Sequence, residues 1–351
     1  CEKGMKELLK SPKSDVYFYA SNGHGVWEAV AANLGSDDHS LLIAGSGHFS
    51  DQWAIQTQGL GLSVLRTPHQ EGQRIDVSAI EATLRADTAH RISAVMAVHT
   101  DTASGMTSDL AAIRQAIDRT GHPALYVVDV VASLAAAPFD MDALGVDVCL
   151  GSSQKGLMMP PGLGFVAANA KAFEWSIQHA KPRFYWSWQE RKTDNQSAKF
   201  CGTPPLAHMA GLEVSLGLLK AEGLDAVHAR HQRLGGAVQA AVRCWATAGA
   251  VKLHCKDPLG FSSSVTAVEV SPGIDPEALR VVAREKFQVA MAGGLGPLAG
   301  RVFRIGHLGD MNEPMILGAL AGIEAAMTVQ KIPYGPNGMA AAIAYLAQHT
   351  P

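Results

Sequence analysis

Lys155 stands in Gly151-Ser-Ser-Gln-Lys155-Gly-Leu-Met-Met-Pro160-Pro161-Gly162, directly after the apolar run Val146–Leu150. An amine at the end of a buried strand, among residues small enough for a ligand to reach the backbone, is a candidate nucleophile toward a carbonyl. Desolvation there lowers its pKa and raises its neutral fraction. The competing reading is a solvated surface charge, the commoner fate of a lysine at a strand end. Schiff-base chemistry on an electron-sink ring also needs an acid to keep the ring nitrogen protonated. Asp129 closes the apolar strand Leu125-Tyr-Val-Val-Asp129 and lies 26 residues before Lys155, a separation that can bring both to one rim of a sheet. A buried aspartate is costly unless it meets a cation or hydrogen-bond donors; its alternative use is a helix or turn cap. Two further features fit an anionic substrate or ligand. Arg304 interrupts the apolar run Val302–Gly306 and can grip a carboxylate bidentately, with an ion pair to Asp310 as the structural alternative. Asn22-Gly23-His24-Gly25 precedes a predicted helix Val26–Leu34, and amides at a helix N-terminus form an anion site.

The elements around these residues alternate. Strands are expected at His39–Ala44, Gly61–Thr67, Ile92–Val98, Leu125–Val130, Val146–Leu150 and Gly162–Ala167, and helices at Val26–Leu34, Val77–Ala86 and Leu110–Thr120. The central strand runs are apolar without alternation, as required when helices cover both faces. The predicted fold class is therefore α/β with a mostly parallel, doubly covered sheet, whose ligands sit beyond the carboxyl ends of the strands. After Pro204-Pro205 long helical periods take over (Gly211–Glu222, Leu224–Ala248, Pro276–Lys286, Pro314–Val329, Met339–Ala347), with strand-like runs at Ser263–Val270 and Val302–Gly306. This predicts a large domain over 1–215 and a smaller α+β domain over 216–351, with a soft boundary near 205–230. Arg183–Lys199, carrying Tyr185, Trp186 and Trp188, has no clear period and suits a lid, an interface loop or an irregular connection.

The 351 residues, 47% of them hydrophobic, can bury a large core and exceed what a single core usually supports. A net charge of −3, from 29 basic and 32 acidic residues without long same-sign blocks, argues against nucleic acid or anionic membranes as partners and favours small molecules. Five cysteines with no CxxC pair fit a reducing compartment, and no run reaches spanning length, so a cytoplasmic location is expected. The first residue is Cys1 rather than Met, which hints at a natural N-terminus further upstream.

Seven ordered segments together resemble the class V aminotransferases of pyridoxal phosphate (PLP) fold type I, in particular the serine–glyoxylate and alanine–glyoxylate aminotransferases. They are Ser21–Glu28, Gly47–Phe49, His99–Gly105, Asp129–Leu134, Ser152–Lys155, Gly202–Pro204 and Phe303–His307. The resemblance implies PLP as cofactor, a homodimer with shared active sites, and amino-acid and 2-oxo-acid substrates. It implies that Lys155 forms the Schiff base and shuttles the Cα proton, that Asp129 pairs with the pyridinium nitrogen, and that Val131 and Phe49 pack on the two ring faces. Asn22, Gly23, His24 and Gln154, with Ser152 as a helper, match the phosphate contacts, and Thr102 matches the hydroxyl bonded to the phenolic oxygen. Thr203 matches a residue reaching the phosphate of the neighbouring subunit. Phe200 replaces a phosphate-binding tyrosine of many relatives. Arg304 matches the carboxylate-binding arginine, and His307 and Asp310 resemble the bacterial serine-using branch. Relatives usually carry a further segment before the Ser21 region. The rivals are a pyridoxamine–pyruvate or 2-aminoethylphosphonate–pyruvate transaminase and a non-catalytic interaction protein retaining the fold. Gln154 in place of a histidine argues against a cysteine desulfurase.

Overall fold

A computed structural model describes residues 1–180 and 183–350 of the chain. Its centre is a seven-stranded sheet built from β1 (Asp15–Tyr19), β2 (Ser40–Ile43), β3 (Ser63–Arg66), β4 (Ile92–Val98) and, past a short ribbon of β5 (Thr100–Asp101) with β6 (Met106–Thr107), from β7 (Leu125–Asp129), β8 (Val148–Ser152) and β9 (Gly164–Ala168). The spatial order is β1-β9-β8-β7-β4-β2-β3. β3, β2, β4, β7 and β8 run parallel, whereas β9 is antiparallel to both of its neighbours, β8 and β1. The mostly parallel sheet expected from the apolar runs is therefore present, with two antiparallel pairings at one side.

Burial on both faces explains why the central strands read as largely apolar runs. Tyr126 and Val128 of β7 point into one core with Phe18, Val95 and Phe165, while Leu125 and Val127 point into the other with Trp27, Trp53 and Leu150. Register then sets the chemistry. Val98 pairs with Asp129, and Asp129 with Leu150, so the parallel strands deliver Thr102, Asp129, Val131 and Lys155 to a common carboxyl rim.

A second, antiparallel sheet has the order β10-β11-β13-β12, from β10 (Val251–Leu253), β11 (Val265–Val270), β12 (Ala292–Gly293) and β13 (Val302–Gly306). It shares a core with the helices Leu224–Trp245, Pro276–Phe287, Glu313–Val329 and Gly338–Gln348. The expected division at 215/216 falls inside the helix Leu206–Glu222, whose buried Leu212 and Leu219 belong to the core of the large sheet; the second core begins at Leu234.

Four elements of the large sheet's layers go beyond the sequence expectation: β1 and the helices Glu2–Leu9, His48–Gly59 and Ala170–His179. The helix His48–Gly59 buries only Ser50, Trp53, Ala54 and Thr57, and a stripe half made of polar residues hides its period. The segment Arg183–Lys199 contains two one-turn helices, Trp188–Arg191 and Gln196–Lys199. No described helix is long and apolar enough to cross a membrane, and the five cysteines are unpaired.

Candidate active site

The turn after β8 is held by its own backbone. Ser153 N donates to Leu163 O (2.9 Å), Ser153 Oγ donates to Pro160 O (2.6 Å), and Met158 N donates to Lys155 O (2.9 Å). Gly156 permits the fold, since a Cβ there would lie 2.1 Å from Leu134 O. The result projects Lys155 into a cleft of about 190 Å³ lined by Asn22, Gly23, His24, Trp27, Phe49, Thr102, Asp129, Val131 and Gln154, among others. Lys155 is half-buried, and its pKa is pulled down, first by burial and then by the Arg304 cation, with Asp129 opposing. Its amine is thus biased toward the nucleophilic, neutral form.

Asp129 is 3% exposed. Its Oδ1 accepts from Val131 N and its Oδ2 from Trp27 Nε1, both at 2.7 Å. Burial nevertheless pushes its carboxyl up to about 6. The carboxylate is therefore anchored but short of positive charge, a condition that a protonated ring nitrogen would relieve. Trp27 itself stacks on Trp53 (5.5 Å between centroids, 13°) and meets Phe49 edge-on (6.2 Å). In the sequence Trp27 stands inside one of the seven segments without a role of its own; an aromatic in an apolar helix carries no signal that distinguishes an anchor from core.

Asp101 escapes sequence reasoning in the same way. It is buried and accepts from Phe49 N (3.0 Å), Ala103 N (2.9 Å) and Ser104 N (3.3 Å), so it ties the first turn of the helix His48–Gly59 to the loop carrying Thr102. Burial raises its pKa, and the three amides oppose that. At the other end of the cleft, Asn22 caps the helix Gly23–Leu34 by accepting from Gly25 N (3.2 Å). The opening turn of that helix lines the cleft beside two buried polar atoms without partners, Ser152 Oγ and Gln154 Oε1. Orphaned polar groups are rare in proteins. The Ser152 hydroxyl, 3.8 Å from where a Cβ on Gly23 would lie, the helix N-terminus and the NH₂ end of the Gln154 carboxamide are donors of the kind a phosphate group requires, so the residues present fit PLP.

Arg304 lies on β13, its guanidinium reaching the rim of the large sheet. Nε donates to Gly293 O (2.7 Å) and Nη1 to Thr102 O (2.8 Å). The ion pair with Asp310 does not form; the charge of Asp310 acts on Arg230 instead. The two backbone carbonyls hold the arginine side chain in place, and three of its five N–H groups are not committed to them. The expected bidentate grip is thereby restricted to those three. Three other residues fall outside the cleft. His307 is fully buried, with Nε2 3.0 Å from Thr266 Oγ1 and Nδ1 3.0 Å from Ser263 O, a structural setting rather than a substrate-facing one. Thr203 is exposed, and Phe200 stacks on Phe18 (6.5 Å, 10°).

Other concavities lack this convergence. A larger groove of about 560 Å³ runs between the helices Glu2–Leu9 and Leu206–Glu222 and is lined by residues already used in surface ion pairs or packing. Glu71, His254 and Glu269 have metal-ligand spacing, the only such group among the described residues, but Arg301 and Lys252 already neutralise its carboxylates.

A lysine, a buried aspartate and a capped helix N-terminus at the carboxyl rim of a mostly parallel sheet, with an arginine from the second, antiparallel sheet, are the arrangement of a PLP-dependent transferase of fold type I. A family model for Aminotransferase class-V matches residues 1–297. The chain is 38% identical to serine–glyoxylate aminotransferase of Methylorubrum extorquens over 98% of its own length and 86% of the relative's. It is also 38% identical to L-aspartate–glyoxylate aminotransferase of Paracoccus denitrificans, over 99% and 87%. Among solved structures, pyridoxamine–pyruvate aminotransferase of Mesorhizobium loti superposes with a TM-score of 0.88 at 26% identity, covering 99% of this chain and 88% of that one. The chain belongs to the class V aminotransferases, and its cofactor is PLP.

Proposed function

We propose that the enzyme transfers the amino group of a small amino acid, serine or alanine, to glyoxylate. The observation that carries this reading is the cleft that Lys155, Asp129 and Gln154 share, with the Arg304 cation near enough to act on Lys155. PLP, when bound, supplies an aldehyde that condenses with amines and a ring that accepts the electron pair left when the substrate Cα–H bond breaks. Lys155 Nζ, its neutral form favoured by burial, binds the cofactor and takes the Cα proton. Asp129 holds a proton on the ring nitrogen, while Phe49 and Val131 flank the ring and keep water from its faces. Asn22, Gly23, His24, Gln154 and Ser152 hold the phosphate, and Thr102 offers its hydroxyl to the ring's phenolic oxygen. Arg304 receives the α-carboxylate common to every amino-acid and keto-acid partner.

The named activities of the two 38%-identical relatives share glyoxylate and differ in the donor, serine in one and aspartate in the other. An apolar pocket separates alanine from serine only weakly, by roughly a hundredfold at most. Aspartate is thus a specific second candidate. The reading also makes the enzyme a homodimer in which Thr203 of one protomer reaches the phosphate of the partner's site; its exposure outside its own cleft supports that. A cytoplasmic setting belongs to the same reading, and the unpaired cysteines support it.

The test is a panel of serine, alanine and aspartate with glyoxylate or pyruvate, following the visible spectrum through each half-reaction. Serine or alanine with glyoxylate should be fastest. Lys155→Ala should lose the visible band and turnover while remaining folded. Unchanged turnover in that variant, or preference for a donor without an α-carboxylate, ends the proposal.

A further inference from the structure

We infer that Trp27 is a positioning residue: its indole N–H fixes Asp129 as an ionised, correctly aimed partner for the cofactor's ring nitrogen. The inference rests on the reading of Asp129 above and adds to it the group through which that aspartate is governed.

Three observations carry it. The indole N–H reaches Asp129 Oδ2 at 2.7 Å across 102 residues of sequence, and it is the one side-chain donor on this carboxylate among the described residues. The other oxygen is held by Val131 N, also at 2.7 Å, so the two donors together fix the plane of the carboxylate. A third donor, the protonated ring nitrogen, has to use a lone pair these two leave open. Second, the indole is itself immobilised. It stacks on Trp53, meets Phe49 edge-on and lies 4.6 Å from the His24 ring, and it is 2% exposed, so the N–H direction is set by packing. Third, Trp27 and the phosphate-facing residues Gly23 and His24 share one helix, Gly23–Leu34. The distance from the phosphate end of the cleft to the ring-nitrogen end is thus fixed by a rigid element rather than by loops.

Burial works against this carboxylate, and its pKa of about 6 already includes the help of the indole and the Val131 amide. A hydrogen bond to a charged group favours the charged form, so losing it pushes the carboxyl further up. More of Asp129 would then be protonated and unable to balance a pyridinium charge. Among the described residues, neither Lys155 nor any other cation is hydrogen-bonded to it to take over.

The experiment is a double-mutant cycle on cofactor affinity, measured by titrating cofactor-free protein with PLP. Trp27→Phe keeps an aromatic in the stack and deletes the N–H. It should weaken PLP binding about ten- to hundredfold and shift the pH dependence of binding to higher pH. Asp129→Asn should weaken binding by itself, and Trp27→Phe should add little further loss in that background. Where Trp27→Phe does not fold, benzothienylalanine at position 27 removes the N–H and preserves the ring shape. Equal losses from Trp27→Phe in the wild-type and Asp129→Asn backgrounds mean that Trp27 acts only through packing, and an unchanged affinity with an unchanged pH profile means that it does not act at all; either result overturns the inference. Should Asp129→Asn leave affinity and spectrum intact, the reading of Asp129 itself falls, an outcome distinct from failure at Trp27 alone.

Discussion

The cofactor-free enzyme should lose stability as pH rises through the mildly acidic range, and Asp129 should be the cause. Its carboxyl is buried, held by two donors, and pushed up to about 6 from an ordinary 3.8. Between those two values the folded state holds a proton that the unfolded state has released. The stabilising contribution is therefore complete below about pH 4 and is lost as pH climbs through about 6. At about 1.4 kcal/mol per pH unit, the gap amounts to about 3 kcal/mol, a sizeable fraction of a typical folding free energy. Asp129→Asn is the perturbation. The amide cannot ionise, and it satisfies one of the two donors while leaving the other facing an NH₂ group; that penalty is independent of pH and displaces the whole curve without changing its slope. The assay is urea unfolding of both proteins, cofactor-free and at one protomer concentration, from about pH 4 to about pH 8. Wild type minus variant should fall by about 2.5 kcal/mol across that range, with most of the change before pH 6. Saturating PLP should cancel the loss, because a protonated ring nitrogen supplies the missing counter-charge. Parallel curves would refute the argument that burial dominates this carboxylate.

Three further outcomes follow from the geometry. Asp101→Asn sets an NH₂ group against one or more of three inward-pointing backbone amides, so thermal and chemical unfolding should show a loss of about 1–3 kcal/mol. PLP should dissociate faster from that variant, since Phe49 and Thr102 lose their common anchor. Gly156→Ala forces a Cβ to within 2.1 Å of Leu134 O, and the turn must move; turnover should fall by more than about tenfold, because small displacements of a catalytic group are expensive, and a crystal structure should show Lys155 shifted. Arg304→Lys keeps the charge but cannot bridge Gly293 O and Thr102 O while also facing a substrate. KM for both amino donor and keto acid should rise at least about tenfold, with the PLP spectrum unchanged; a rise for one substrate only contradicts a common α-carboxylate site.

The sequence by itself determined the layers and the residue types. Unbroken apolar runs such as Ala94–Val98 and Leu125–Val128 admit little besides buried parallel strands, because a doubly covered strand has no polar face to display. Polar residues set at the ends of such runs, Asp129 and Lys155 among them, are legible for the same reason: each violates a pattern at a cost that a site can offset. The tertiary structure alone decided what those residues touch. The bond from Trp27 to Asp129 and the staple made by Asp101 join segments 102 and 52 residues apart, and no local period records a partner at that range. His48–Gly59 eludes the pattern because half of its inward stripe is polar. Of the two carbonyls that clamp Arg304, Gly293 O belongs to the smaller sheet and Thr102 O to the turn after β5, so its donors are committed only when the two are packed together. Spacing along the chain fixes which rim a side chain reaches, whereas hydrogen-bond direction and burial, which set the charge a group carries, exist only once distant elements have closed around it.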